Sequence, residues 1–193
     1  MRRLTYYVAT TIDGFIAAPD GSFGFFPADD RADEMAEFLT SRYPETVPTH
    51  VREHMGLDLP GNRCFDTVVM GHGTYRPALD IGVTSPYRHL RQYVVSTALT
   101  ESPDPEVELV PGDPAGLVRR LKREEGLGIW LAGGGRLAGA LLPEIDELIV
   151  KRYPLVIGTG IPVFTAQFQP RAFELTDTRV FGGGAVVLSY TRA

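Results

Sequence analysis

Short apolar runs recur along the chain, set off by glycine, proline and aspartate. Residues 4–10, LTYYVAT, form a β-rich run. Turn signals at Asp13-Gly14 and Pro19-Asp20-Gly21 bracket a short apolar FIAA. The period then changes. Over residues 28–41, Met35, Phe38 and Leu39 recur at helical spacing, and Asp29 or Asp30 can cap the start. Pro44 and Pro48 interrupt, 47–55 reads as a second short helix, and Pro60-Gly61-Asn62 is loop. Strands are predicted at 67–70, 93–96 and 107–110. Residues 114–125 read as a helix with Pro114 in its first turn and Leu117, Val118 and Leu121 on one face. A strand at 129–132, a helix at 136–142 and a strand at 146–153 follow. Runs at 172–181 and 185–191 flank Gly182-Gly183-Gly184 as a closing hairpin.

Alternating strands and helices with a terminal antiparallel pair imply an α/β fold. Its sheet is mostly parallel, covered on both faces, with an antiparallel edge. The chain has 193 residues and reads as one domain over 1–193, without repeats or low-complexity segments. Residues 41–63 look like an insertion between the first helix and the second core strand, in a position compatible with a lid.

Composition narrows the function. Apolar content is 44%, which fits a globular protein. The net charge of −5 argues against a nucleic-acid surface. The opening MRRLTYYVATTIDGF resembles a signal peptide only superficially, because Asp13 cuts the apolar run short. No stretch approaches a membrane span. Cys64 is the only cysteine, which rules out an internal disulfide and a cysteine-based zinc site; it reads as a small apolar residue, and the cytoplasm is the expected compartment.

WLAGGGRLAGALL, residues 130–142, places three glycines between a strand and a helix. Glycine there costs chain entropy and adds no packing, so something needs bare backbone. Two readings fit. One is a phosphate cradle at a helix N-terminus; the other is a tight turn with close strand–helix packing. The spacing is neither G-x-G-x-x-G nor a P-loop. A second junction, VVMGHGTY at 68–75, repeats the arrangement, with Thr74 in the first helical turn. A third run, YVVST, ends in the hydroxyls of Ser96 and Thr97. Three strand ends with phosphate-friendly groups suit an extended, multiply phosphorylated ligand.

These motifs, with YVATTIDGFIAAPDGS before them and DELIVKRYPLVIGTGIPVF after, run in an order that resembles the dihydrofolate reductase-like superfamily. The resemblance is strongest to the reductase domain of the bacterial riboflavin-biosynthesis deaminase/reductase, and it covers nearly the whole chain. It implies a three-layer α/β/α fold and NADPH as hydride donor. It places Gly133, Gly134, Gly135, Arg136, Leu137, Gly71, Thr74, Ser96 and Thr97 along the cofactor's phosphates and adenosine. Ala9, Ile16 and Ala17 fall near the nicotinamide. A cis peptide between Gly133 and Gly134 and a homodimer are also implied. Where the family usually has an arginine for the 2′-phosphate, this chain has His72, with Arg76 one turn on. The zinc deaminase pattern does not occur in this sequence.

Reduction of a C=N or C=O group also needs a proton. By resemblance, Asp29 or Asp30 on the first long helix is the expected donor, while Asp13 reads as a turn residue. HVREH, residues 50–54, matches a zinc-peptidase pattern, but no third ligand is evident and no metal is expected. The leading expectation is an NADPH-dependent reductase of a small heterocycle, best matched by 5-amino-6-(5-phosphoribosylamino)uracil, whose ribose phosphate Lys151 or Arg152 would help to hold. The alternatives are a dihydrofolate reductase-like enzyme with another substrate and a non-catalytic NADPH-binding module.

Overall fold

The computed structural model describes residues 1–27, 30–56 and 61–193. The elements run β1 (Leu4–Thr10), β2 (Phe15–Ala17), α1 (Asp30–Arg42), α2 (Thr49–Met55), β3 (Phe65–Gly71) and α3 (His72–Asp80). β4 (Arg91–Val95), β5 (Val107–Val110), α4 (Pro114–Arg123), β6 (Gly128–Leu131), α5 (Gly135–Leu141) and β7 (Glu147–Arg152) follow. β8 (Ile161–Pro162), β9 (Phe173–Val180) and β10 (Val186–Arg192) complete the chain.

Eight strands form one sheet in the order β5-β4-β3-β6-β1-β7-β10-β9. The first six are parallel, and β10 pairs antiparallel with both β7 and β9. A separate two-stranded piece joins β2 to β8. Alternation along the strands builds two cores. Tyr7, Val68, Val94, Trp130 and Ile149 face α1 and α3 on one side. Leu4, Tyr6, Val69, Ile129 and Leu131 face α4 and α5 on the other. Both faces of the central strands are therefore apolar, as a covered parallel sheet requires. The result is the predicted three-layer α/β/α fold.

Local chemistry explains the helix ends. Asp113 caps α4 by accepting a hydrogen bond from the Gly116 amide at 2.8 Å, and Pro114 fills the first position, where its missing N–H has no helical partner to lose. Gly182–Gly184 turns the terminal hairpin.

The segment 41–63 is not a lid in its described residues. Glu45, fully buried, accepts from the amides of Cys64 and Phe65 at 2.6 Å each. His89 Nε2 lies 2.8 Å from the Glu45 carbonyl, and Asn62 donates to the His89 carbonyl at 2.8 Å. These ties hold the segment at the amino ends of β3 and β4, while the candidate site lies at the carboxyl ends. The HVREH segment is held by its arginine. Arg52, between the two histidines, is pinned to the carbonyls of Val47 and Pro44. His54 is exposed, and no trio of His, Cys, Asp or Glu able to hold a metal occurs among the described residues. Cys64 is half-buried, and burial pushes its thiol pKa up, which suppresses thiolate chemistry.

Candidate active site

The sheet order sets the carboxyl ends of β4, β3, β6, β1 and β7 side by side. Gly71 closes β3, opposite Val95 of β4, and caps the N-terminus of α3. On the neighbouring strand, the Ala132 amide donates to the Val69 carbonyl at 3.0 Å, which holds the start of the glycine run against β3. Gly133 and Gly134 then take φ of +130° and +91°. Side-chain-bearing residues rarely adopt these values. The peptide between them is not cis, contrary to what the family resemblance implies: the chain has no cis peptide among its described residues, and two positive-φ residues make the turn.

The three glycines divide by role. A Cβ on Gly133 or Gly134 would meet only the Thr74 hydroxyl, at 3.7 and 3.5 Å. A Cβ would clash at neither position; Gly133 is buried and Gly134 half-buried, beside the first turn of α3. A Cβ on Gly135 would sit 2.1 Å from the Pro162 carbonyl oxygen, and one on Gly139 would sit 1.8 Å from that of Thr165. The Thr165 amide also donates to the Gly135 carbonyl at 2.8 Å. Residues 161–165 thus form a strap laid directly on α5. The close-packing reading accounts for Gly135 and Gly139, while Gly133 and Gly134 leave a bare backbone beside Thr74.

The remaining expected cofactor residues fall into place unevenly. His72 opens α3, half-buried, and Thr97 is exposed. Ser96 is buried, and its hydroxyl accepts from the amides of Ala98 and Leu99 at 3.1 Å each, so it builds the turn that presents Thr97. Arg136 is exposed, whereas the Leu137 side chain packs in the core beneath α5. Arg76 is exposed and loosely paired with Asp80 at 3.7 Å. Ala9 stands near the end of β1, and Ile16 and Ala17 lie on β2 beside β8.

Asp13 is a clasp. Its carboxylate accepts from the Thr11 hydroxyl at 2.6 Å and from the amides of Ile157 and Gly158 at 3.1 and 2.8 Å. Those bonds, the Thr11 one foremost, hold its carboxyl below the usual range, so it has no proton to donate near neutrality. Asp29 lies outside the described residues. Asp30 begins α1, and its side chain lies outside them too.

An aromatic cluster gathers residues from the segment before α1 and from just past the end of β7. Phe25 and Phe26 lie 4.6 Å apart between centroids with their rings tilted, and Phe26 meets Tyr153 at 4.9 Å, also tilted. On β7, Lys151 Nζ stands 4.4 Å from the Tyr7 ring centroid. Burial lowers the Lys151 pKa from 10.5 to about 8. FGFFPADD carries the phenylalanines, but nothing in it indicates that Tyr153 would pack against Phe26.

A family model described as the RibD C-terminal domain matches residues 2–187. Over 194 aligned residues the chain is 31% identical to the uncharacterized protein YwjB of Bacillus subtilis (strain 168), covering 100% of this chain and 99% of that one. A putative riboflavin biosynthesis protein from Shewanella sp. PV-4 superposes with a TM-score of 0.71 at 23% identity, over 99% of each chain. The diaminohydroxyphosphoribosylaminopyrimidine deaminase/5-amino-6-(5-phosphoribosylamino)uracil reductase of Thermotoga maritima gives 0.65 at 15% identity, and this chain spans 57% of it. Dihydrofolate reductase from Enterococcus faecalis, complexed with NADP(H) and RAB-propyl, gives 0.65 at 12% identity, covering 98% of this chain and 96% of that one. The structural likenesses carry the dihydrofolate reductase-like fold. With the family match running from the second residue into β10, the chain belongs to the RibD C-terminal domain family.

Proposed function

We propose that this protein is an NADPH-dependent reductase of a small heterocycle, with 5-amino-6-(5-phosphoribosylamino)uracil as the best candidate substrate. The observation that carries this reading is the Gly133-Gly134 step beside the Thr74 hydroxyl, at the carboxyl ends of β6 and β3. A diphosphate fits there, because backbone and hydroxyl donors face a space that a Cβ would narrow. Bound NADPH would supply the hydride. The chain's own residues position and enclose. Thr74 donates to a phosphate oxygen, while Gly71, His72 and Thr97 border the adenosine side. Ala9, Ile16 and Ala17 border the nicotinamide side. Phe25, Phe26 and Tyr153 offer apolar ring faces to a planar substrate and exclude water.

The names of the Thermotoga and Enterococcus structures point the same way. We also propose a homodimer. β9 is an edge strand of the sheet with Leu175 and Val180 exposed, which is a surface suited to a second copy. No described helix is long and apolar enough to cross a membrane.

Calorimetric titration with NADPH and NADH tests the reading. Saturable binding that favours NADPH is expected. Thr74→Val should weaken it about fivefold to tenfold, the equivalent of one hydrogen bond. Absence of saturable binding to either nucleotide overturns the proposal.

A further inference from the structure

Of the 19 basic side chains, 17 are arginines; the only lysines are Lys122 and Lys151. The two sit in opposite circumstances. Lys122 is committed to structure: Nζ lies 2.7 Å from the Asp146 carboxylate and donates to the Glu144 carbonyl at 2.6 Å. Lys151 lies near the carboxyl end of β7, paired in register with Ala9 of β1. Its ammonium faces the Tyr7 ring, and no carboxylate reaches it among the described residues. Taking an ammonium out of water without a partner is costly. This chain places arginine nearly everywhere else, yet keeps an amine here. Guanidinium stays charged in proteins, whereas an amine can give up and regain a proton.

The position suits that use. Ala9 stands between the two features: the glycine step follows the strand on one side of β1, and Lys151 lies next to the last residue of the strand on the other. Two strand spacings, about 10 Å, separate β6 from β7. That span accommodates a nicotinamide ring and a planar substrate lying over the end of β1. Lys151 shares the α1 face of the sheet with Ile149 and Tyr7.

We propose that Lys151 is the substrate-side proton donor of this site, its ammonium hydrogen-bonded to a ring nitrogen or carbonyl oxygen of the substrate. The proposal rests on the reductase reading. As the NADPH hydride adds to the carbon of a C=N or C=O bond, the π pair moves to the heteroatom of that bond, which is the atom that the ammonium must face. The heteroatom takes a proton from Nζ, leaving a neutral amine that is reprotonated from water. A pKa lowered to about 8 by burial suits both halves of that cycle.

The titratable groups around Nζ are few. Tyr7 of β1 lies beneath it, and burial raises its pKa, which keeps its hydroxyl protonated. Tyr153 follows two residues on, and burial raises its pKa also. Val187 is the partner on β10 and does not titrate. α1 presents Met35, Phe38 and Leu39 to this core, and its Asp30 and Asp33 side chains lie outside the described residues.

Two measurements test the proposal. Acetylation by an amine-selective reagent, followed by mass spectrometry across pH, needs no turnover, because Lys122, Lys151 and the α-amino group of Met1 are the only amines in the sequence. Lys151 should react faster than Lys122, with half-maximal rate near pH 8, and NADP⁺ with 5-amino-6-(5-phosphoribosylamino)uracil should protect it. Equal labelling of the two lysines, or a Lys151 rate that rises only toward pH 10, overturns the proposal. The second measurement is turnover of that substrate. Lys151→Met and Lys151→Arg should each lower kcat about 10²-fold or more while calorimetry finds NADPH affinity unchanged. The arginine variant keeps charge and bulk, so its inactivity separates proton delivery from packing. Wild-type kcat in either variant, with NADPH still bound, overturns the lysine assignment and leaves the reductase reading standing. Failure of the wild-type protein to bind NADPH overturns both.

Discussion

Replacing Gly139 by alanine isolates the packing role of the glycine-rich helix. The added methyl would lie 1.8 Å from the Thr165 carbonyl oxygen and 2.5 Å from its carbonyl carbon. Both are backbone atoms, so no rotamer change relieves the clash. The strap would have to lift from α5, and it is tied at several points. Tyr6 donates to the Val163 carbonyl at 3.0 Å, the Val163 amide donates to Gly14 at 3.0 Å, and the Thr165 amide donates to Gly135 at 2.8 Å. Overpacking of this kind costs about 1–3 kcal/mol, and loss of the Thr165–Gly135 bond about 1 kcal/mol more. Alanine's helix propensity returns up to about 1 kcal/mol. The net expectation is a loss of about 2–3 kcal/mol, or about 4–12 °C in Tm for a chain of this size. Urea unfolding followed by fluorescence of Trp130, the single, buried tryptophan, measures it. Gly112→Ala is the control, since a Cβ there would meet nothing within 4 Å and no positive φ is involved. Gly133→Ala strains φ and should weaken NADPH binding. A Gly139→Ala protein as stable as the parent would refute the close-approach argument.

Three further outcomes follow from buried or clasped charges. Glu45→Ala removes the acceptor of two buried amides and should cost about 3 kcal/mol in denaturant unfolding. Asp13→Asn tests the clasp by pH. The Asp13 carboxyl is held below its unfolded value of 3.8, so its contribution is present above that pH and is lost as pH falls through the lower folded value. The gap in urea midpoint between parent and variant should therefore be wide near about pH 7 and close below about pH 3. Lys151→Met should stabilise. Burial takes that pKa from 10.5 to about 8, so the charged form is penalised fully below pH 8 and relieved as the folded state sheds its proton toward 10.5. A Tm gain equivalent to about 2 kcal/mol near neutrality, shrinking above pH 9, is expected. Loss of turnover together with gained stability is the pattern of a functional residue kept at a cost to the fold.

Local pattern determined much of this protein. Local spacing and turn signals predict every strand of the main sheet and four of the five described helices to within a few residues, because each element must bury one face; α3 is marked only by the glycine junction that precedes it. The glycine and hydroxyl residues at the ends of β3, β4 and β6 also mark the candidate phosphate side of the site in the sequence, since bare backbone at a strand–helix junction is a local requirement. Tertiary structure decided what depends on residues far apart in the chain. Only the strap at 161–165 shows that Gly135 serves packing while a Cβ would clash at neither Gly133 nor Gly134. Only the burial of Glu45 shows that the described residues of 41–63 grip the amino ends of the strands. The environment of Lys151 was equally invisible: the partner of β7 in the sheet and the ring that its ammonium faces come from β1, more than a hundred residues earlier. Spacing reports which face a residue occupies, but desolvation, close approach and proton chemistry depend on which distant element covers that face.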